Sequence, residues 1–246
     1  MPAVKGSRRM PAVKGNQTEF IPFEDRRLGR HVVHDPKSWD YQELLPRRTV
    51  ELKSVQHRRY DPIPEPNQPV GCCTMVAECL MGNTKGNRVK GQVLNMQTAL
   101  DGYSIATSID PFEGVYPPED TGSSGLAAAK AAVRLGLADK YLWYFSVESV
   151  LLGLQKHPIS FGGKWMYDMF YASREHPVVR PTGEVAGGHQ WTLSGYDAKN
   201  KLIAGECWWG KGFGINGRFY ISVEDFRTLM EDNGDAHFTI RRGANA

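Results

Sequence analysis

The sequence predicts an α+β protein of two lobes with a cleft between them, because its two halves carry different hydrophobic patterns. Up to about residue 157 the apolar residues recur at helical spacing, whereas from about residue 158 they form short runs separated by Gly, Asp and Asn. Such segregation of helices and strands is typical of α+β folds. A third observation is a turn rich in proline and glycine that runs into an apolar stretch, with Cys72 and Cys73 at the junction.

The first half contains the predicted helices. A buried helix is expected from Cys73 to about Met81, and a less regular one around residues 96–100. Residues 126–135 are a strong helix-forming run between a polar cap and Gly136. A further helix at residues 146–156 has Ser146 as its cap.

The second half contains the predicted strands. They are expected at residues 159–161, 189–196, 202–208, 218–222 and 237–241, with a short helix at 222–230. We therefore predict a flexible tail at residues 1–27 and one domain at 28–246. Its helical lobe lies mainly at 67–157, and its β lobe mainly at 158–242 together with the N-terminal arm.

Composition narrows the functional classes. Hydrophobic residues make up 41% and charged residues 23%, and the net charge of +3 is too small for a nucleic-acid footprint. No apolar run is long enough to cross a bilayer, and the N-terminus lacks the apolar core of a secretory signal. We expect neither a nucleic-acid nor a membrane partner, and a cytoplasmic or assembly-associated location instead of secretion. The four cysteines form no evident disulfide framework, and without a Cys-x-x-Cys pair or a His-rich cluster we expect no metal and no cofactor.

A cysteine at the start of a helix suggests nucleophilic chemistry. The free backbone N–H groups and the helix dipole stabilise an anion there, which lowers a thiol pKa. The alternative is that Cys72 and Cys73 are small buried residues, as most free cysteines are. Taken alone, this stretch favours the alternative.

Two later stretches change that balance. Gly187 and Gly188 precede His189 and leave room for another chain beside the imidazole. A dense mixture of Trp and Gly then surrounds Cys207 and Trp209. Aromatic packing over a glycine-rich turn is the ordinary interpretation of that mixture, and a lone histidine is more often structural than catalytic.

These three stretches, in this order, resemble segments of the papain-like cysteine peptidases. Val-Gly-Cys-Cys-Thr-Met-Val-Ala at 70–77 is similar to the segment around the family's nucleophile, and Gly-His-Gln-Trp at 188–191 is similar to its histidine strand. Trp-Gly-Lys-Gly-Phe-Gly at 209–214 is similar to the segment that follows its asparagine. Residues 28–30 and 120–124 are similar to the bacterial branch, and the whole resemblance covers about residues 28–242.

The resemblance implies a papain-like fold and a cysteine-type peptidase acting on polypeptides. Cys73 would attack the amide carbonyl, and His189 would hold the thiolate and then protonate the leaving amine. The backbone N–H of Cys73, with an upstream side-chain amide, would stabilise the oxyanion. The residues implied to bind substrate are Gly71, Gly122, Ser123, Gly188 and Trp209, the last also shielding the histidine from water.

The chain departs from the family pattern at two sites. The family has a glutamine six positions before the nucleophile, whereas here that position is Asn67 and Gln68 lies five positions back. We favour Gln68 as the oxyanion amide, with Asn67 as the alternative. Cys207 stands where the family has the asparagine that orients the histidine, and a thiol is a weak hydrogen-bond partner. A Cys–His pair remains chemically sufficient, because the orienting residue does not take part in bond breaking.

Two alternatives remain open at this point. A catalytically weak or inactive homologue would act as a binding or structural module. Transfer to another amine, or hydrolysis of a cell-wall peptide, would use the same residues. The residues before the nucleophile resemble the mature N-terminal arm and not the family's long inhibitory prosegment, so we expect access, location or a protein partner to control activity.

Overall fold

The computed structural model describes residues 26–33, 36–43, 50–59, 69–89 and 91–241. The α-helices within these ranges are α1 (Cys73–Gly82), α2 (Met96–Ile109), α3 (Gly125–Arg134), α4 (Val147–Leu154) and α5 (Val223–Glu231). The strands are β1 (Val55–Gln56), β2 (Lys140–Tyr144), β3 (Ile159–Met166), β4 (Val178–Val179), β5 (Val185–Asp197), β6 (Leu202–Glu206), β7 (Arg218–Ser222) and β8 (Asp235–Ile240). The predicted α+β architecture is confirmed. The predicted tail lies almost wholly outside the described residues.

All the strands belong to a single sheet. Its order is β2-β8-β3-β5-β6-β7-β4, with β1 added beside β5. The pairs are antiparallel except for β4 with β7. In the central ladder His189 of β5 pairs with Gly163 of β3, and the next residue of β3, Gly162, pairs with Asp235 of β8. The middle of the sheet therefore places the predicted histidine near the start of β8.

The apolar core is divided between the helices and the sheet. One cluster joins α1, α2 and α3, and a second joins the sheet to α4 and α5. All ten residues of α1 are buried, because this helix lies between its neighbouring helices and β5. The helix that begins with Cys73 is consequently held from both sides.

Two polar contacts tie α1 to the sheet. The hydroxyl of Thr192 in β5 donates to the carbonyl of Ala77 at 3.0 Å. The carboxylate of Glu78 contacts Nε2 of His237 and the hydroxyl of Thr239, both in β8. A buried carboxylate needs such partners to offset its lost hydration. These contacts fix the height and rotation of the nucleophile helix over the sheet.

Helix starts follow local capping chemistry. Asn95 and Thr98 form a reciprocal capping box at α2, and Ser146 and Ser149 form another at α4. The side chain of Ser124 accepts from the backbone N–H of Ala127 at α3. The sequence analysis assigns no element to β2, because its aromatic run does not alternate between apolar and polar residues. No helix among the described residues is long and apolar enough to span a membrane.

Candidate active site

Cys73 is the first residue of α1, and Cys72 is its N-cap. Both side chains are fully buried, as are the other two cysteines of the chain, and all four are free thiols. The predicted position of Cys73 at a helix N-terminus is therefore observed. Its backbone N–H has no acceptor inside the helix, since the first turn of any α-helix leaves such groups free.

Burial raises the pKa of the Cys73 thiol to about 12. The backbone N–H of Gln190, the charge of Arg30 and the backbone N–H groups of Gly29 and Thr74 act in the opposite direction. The sequence analysis expects a lowered pKa, and this expectation is wrong for the structure observed, because desolvation outweighs the helix terminus. The sulfur is thus a neutral thiol at neutral pH, already surrounded by N–H groups and one cation.

His189 lies on β5, one residue before the Gln190 whose backbone N–H faces the Cys73 sulfur. Its ring stacks on Trp209 at a centroid distance of 4.4 Å and meets Trp165 edge-on at 5.1 Å. Burial lowers the pKa of His189 to about 3, so the imidazole is neutral at neutral pH. Trp209 covers one face of the ring, the position that the resemblance implies for it.

Cys207 lies against the other end of this imidazole. Its Sγ is 3.4 Å from Nε2 of His189, while Nδ1 is buried without a hydrogen-bond partner in the described part of the chain. Burial raises the pKa of Cys207 well above its ordinary value, and the nearby Cys73 adds to the effect. The thiol of Cys207 thus occupies the orienting position, with a thiol on each side of His189.

Glu206 points away from the histidine, as strand alternation predicts. Its carboxylate binds Arg59 at 2.6 Å and Arg218 at 2.7 Å. The acid next to Cys207 in sequence is therefore already paired. It anchors β6 to β7 and to the segment before the nucleophile, and it does not replace the missing asparagine.

Residues 28–31 run across the candidate site, and we call them the strap. The backbone N–H groups of Gly29 and Arg30 donate to the carbonyl of Gly188 at 3.2 and 3.0 Å. On the other side, Ser123 donates to the carbonyl of Gly29 at 2.8 Å and accepts from His31 at 2.9 Å. The sequence analysis assigns this stretch to the arm of the β lobe, whereas the structure places it between the two lips of the cleft.

The strap covers each residue that was predicted to bind substrate backbone. A Cβ atom on Gly29 would lie 1.8 Å from the carbonyl oxygen of Gly71, so the two backbones cross in contact. A Cβ atom on Gly122 would lie 2.6 Å from the carbonyl oxygen of Gly29. A groove of about 210 Å³ remains between the strap and the cleft wall that includes Gly71, Asp120 and Gly188. The strap explains why Cys73 and His189 are shielded from solvent.

Two residues that the sequence analysis did not identify hold the cleft wall. Asp120 accepts from the backbone N–H of Gly71 at 2.9 Å and from the hydroxyl of Tyr103 at 2.8 Å. That hydroxyl accepts in turn from the backbone N–H of Gly122 at 2.7 Å. Asp120 stands in the polar run before α3, but nothing in the sequence indicates its partner 49 positions earlier.

The remaining predicted residues can be placed briefly. Gln68 and Asn67 lie outside the described residues, so the choice of oxyanion amide stays a prediction. Within the described ranges, no group of three or more His, Cys, Asp or Glu side chains is arranged to hold a metal ion.

Comparison with known proteins identifies the fold. The sequence matches no protein-family model and no curated protein. Among solved structures, xylellain, a cysteine protease from Xylella fastidiosa, has a TM-score of 0.68 and 12% identity, covering 94% of this chain and 100% of that one. Procathepsin B S9 from Trypanosoma congolense has a TM-score of 0.64 and 14% identity over 89% and 88% of the two chains. The bromelain protease from Ananas comosus, in complex with the E64 inhibitor, has a TM-score of 0.55 and 15% identity over 77% and 99%. The predicted papain-like fold is thus confirmed.

Proposed function

We propose that this chain is a cysteine-type peptidase that hydrolyses polypeptides through Cys73 and His189 once the strap has left the cleft. The observation that carries the proposal is the strap itself. A peptide backbone lies between Ser123 and Gly188 and passes over a thiol that sits beside an imidazole. The structural neighbours with this fold are described as cysteine proteases, which agrees with the proposal.

The reaction follows from the positions of the groups. The Cys73 thiol transfers its proton to His189, and the thiolate attacks the substrate carbonyl carbon. The resulting oxyanion is stabilised by the backbone N–H of Cys73 and by the side-chain amide that we assign to Gln68. The imidazolium then protonates the leaving amine, and water hydrolyses the thioester. Cys207 orients the imidazole through its contact with Nε2.

The strap must move before this chemistry begins. With the strap in place, burial favours the neutral forms of both Cys73 and His189. An open cleft readmits water and stabilises the thiolate and imidazolium forms. The covered structure is therefore an inactive form, and displacement of the strap by substrate or by a protein partner controls activity. We also propose membership in the bacterial branch, on the motifs at 28–30 and 120–124.

The test is selective alkylation and peptide hydrolysis by the full chain with a loosened strap. His31→Ala removes the ring that accepts or donates at the Thr121 carbonyl (2.8 Å) and stacks on Phe112 (3.6 Å). We expect iodoacetamide to modify Cys73 at neutral pH faster in this variant than in the wild type, as read by mass spectrometry of all four cysteines. E64, which is bound in the bromelain structure, is a second probe.

Controls separate nucleophilic from structural effects. Cys73→Ala should abolish hydrolysis of a mixed peptide pool by the His31→Ala protein. Cys79→Ala removes another fully buried thiol of α1 and should leave hydrolysis unchanged. Equal alkylation of all four cysteines, or hydrolysis that survives Cys73→Ala, would contradict the proposal.

A second candidate function is that of an inactive homologue that binds peptides. It is favoured by Cys207 at the orienting position and by the complete burial of Cys73. It differs in one outcome: Cys73 would stay unreactive in the loosened protein, while peptides would still bind in the cleft.

A further inference from the structure

The side chain of Arg30 leaves the strap and enters a slot in the floor of the cleft. Its Nη2 lies 2.8 Å from Oδ1 of Asp235, and the two side chains are 1% and 5% exposed. A Cβ atom on Gly162 would lie 1.9 Å from Nε of Arg30, so the guanidinium stem passes directly over the glycine. Gly162 and Asp235 pair across β3 and β8, and we call the space above them the Asp235 slot.

The slot adjoins the candidate nucleophile. Gly162 pairs on its other side with Gln190, whose backbone N–H faces the Cys73 sulfur. The positive charge of Arg30 also acts on the Cys73 thiol. A cationic side chain in this slot therefore belongs to a residue whose backbone lies at the reactive centre.

The backbone contacts around Arg30 carry no sequence requirement. Ser123 binds the backbone of the residues on either side of Arg30, and Gly188 accepts from Arg30 itself. Main-chain pairing of this kind provides affinity for any extended peptide, while side-chain pockets provide the specificity. The residue at the centre of the contacts is thus the one whose side chain the slot selects.

The chemistry of the slot suits a guanidinium. A carboxylate recognises the planar, permanently charged arginine head, and such charged hydrogen bonds are stronger than neutral ones. The missing side chain at Gly162 leaves room for the stem. Nε of Arg30 is buried without an acceptor among the described residues, so the strap's own arginine makes incomplete use of the slot.

We propose that the Asp235 slot is a specificity subsite for an arginine side chain of the polypeptide substrate, and that Arg30 of the strap occupies it as a built-in competitor. The proposal rests on the proposed function for the identity of the occupant as a substrate. It assigns Asp235 and Gly162 as specificity-determining residues and makes strap release a competition between two arginines.

The experiment measures binding in the full chain without requiring catalysis. The carrier is the Cys73→Ala, Arg30→Ala protein, in which the slot is vacated and the nucleophile is absent. The probes are two fluorescent peptides with the sequence of residues 26–33, one with arginine at the position of Arg30 and one with citrulline, which keeps the shape but lacks the charge. We expect the arginine peptide to bind at least about tenfold more tightly by fluorescence anisotropy, the size of a charged hydrogen bond.

Matched variants locate the preference. Asp235→Asn should reduce the difference between the two peptides to within about twofold, whereas Asp232→Asn, which removes a surface partner of Lys164, should leave it unchanged. Gly162→Ala fills the slot without altering charge and should also remove the preference. Gly86→Ala, where an added Cβ meets nothing within 4 Å, is its control. If Asp235→Asn does not fold, as judged by circular dichroism, the Gly162 pair decides.

The outcomes separate this proposal from the peptidase function. Equal binding of both peptides, no binding of either, or a preference that survives Gly162→Ala would overturn the subsite. Hydrolysis is measured separately in Arg30→Ala with Cys73 intact. Tight arginine binding without hydrolysis would support the subsite and oppose the peptidase, whereas hydrolysis without an arginine preference would do the reverse.

Discussion

Two buried imidazoles lie on the same sheet in similar surroundings but have different partners. His189 of β5 stacks on Trp209 at 4.4 Å, and His237 of β8 stacks on Trp143 at 4.5 Å. Both are at most 1% exposed. Nε2 of His237 contacts the carboxylate of Glu78, whereas Nε2 of His189 contacts the thiol of Cys207.

The partner decides what each histidine does for the molecule. A carboxylate shared between an imidazole and the Thr239 hydroxyl ties α1 to β8. A thiol is a weak hydrogen-bond partner, so His189 is positioned mainly by its tryptophan neighbours. The strongly paired histidine is structural, and the weakly paired one keeps a ring nitrogen for chemistry beside Cys73.

The largest effect should come from breaking the structural pair. Glu78→Ala removes one partner of a buried pair and should lower the free energy of unfolding by about 3–5 kcal/mol. Urea denaturation measures it. Glu148→Ala, which removes an exposed partner of Arg227, should cost no more than about 1 kcal/mol. Losses of similar size in the two variants would mean that the Glu78 contact does not tie α1 to the sheet.

The sequence reveals these two histidines unequally. Gly187 and Gly188 stand beside His189, and this local signature allowed its prediction. His237 lies 159 positions from Glu78, in a strand with no unusual composition, so nothing local indicates their contact. Helix periodicity and caps were readable for the same reason, since each depends on residues within a few positions of one another.

The strap was unpredictable on similar grounds. An extended segment has no periodicity, and its place depends on crossing Gly71 and on pairing with Ser123 and Gly188, all distant in sequence. The low thiol pKa expected for Cys73 failed because it depended on an exposed helix terminus. The available signal was the glycine at position 29, which a backbone crossing requires and an ordinary arm does not.

The second prediction uses pH to sharpen the contrast. Burial lowers the pKa of His189 to about 3, against about 6.5 in an unfolded chain. Between these values the unfolded state binds more protons, so this histidine costs no stability above pH 6.5 and an increasing amount as pH falls. At pH 5 the cost is about 2 kcal/mol relative to pH 7.

Urea denaturation at pH 7, 6 and 5 checks this dependence. His157, whose pKa burial lowers to about 4, and His57, whose pKa burial also lowers, contribute in the same direction. His189→Gln should therefore flatten the pH dependence of stability without abolishing it. His176→Gln, at an exposed position, should leave the slope unchanged. An unaltered slope in His189→Gln would show that the imidazole is hydrated in solution.

The smallest effect concerns the orienting contact and exchanges the weak partner for a strong one. Cys207→Asn gives His189 Nε2 an amide carbonyl in place of a thiol, and a neutral hydrogen bond contributes about 1 kcal/mol. If orientation limits the reaction, kcat/KM for peptide hydrolysis should rise about five- to tenfold in the His31→Ala background. Cys207→Ala removes the contact and should lower it. Since asparagine is larger than cysteine in a buried site, thermal melting must accompany the kinetics. An asparagine variant that melts like the wild type but is no faster than the alanine variant would show that tryptophan packing alone orients His189, and that the two imidazoles differ in location more than in partner.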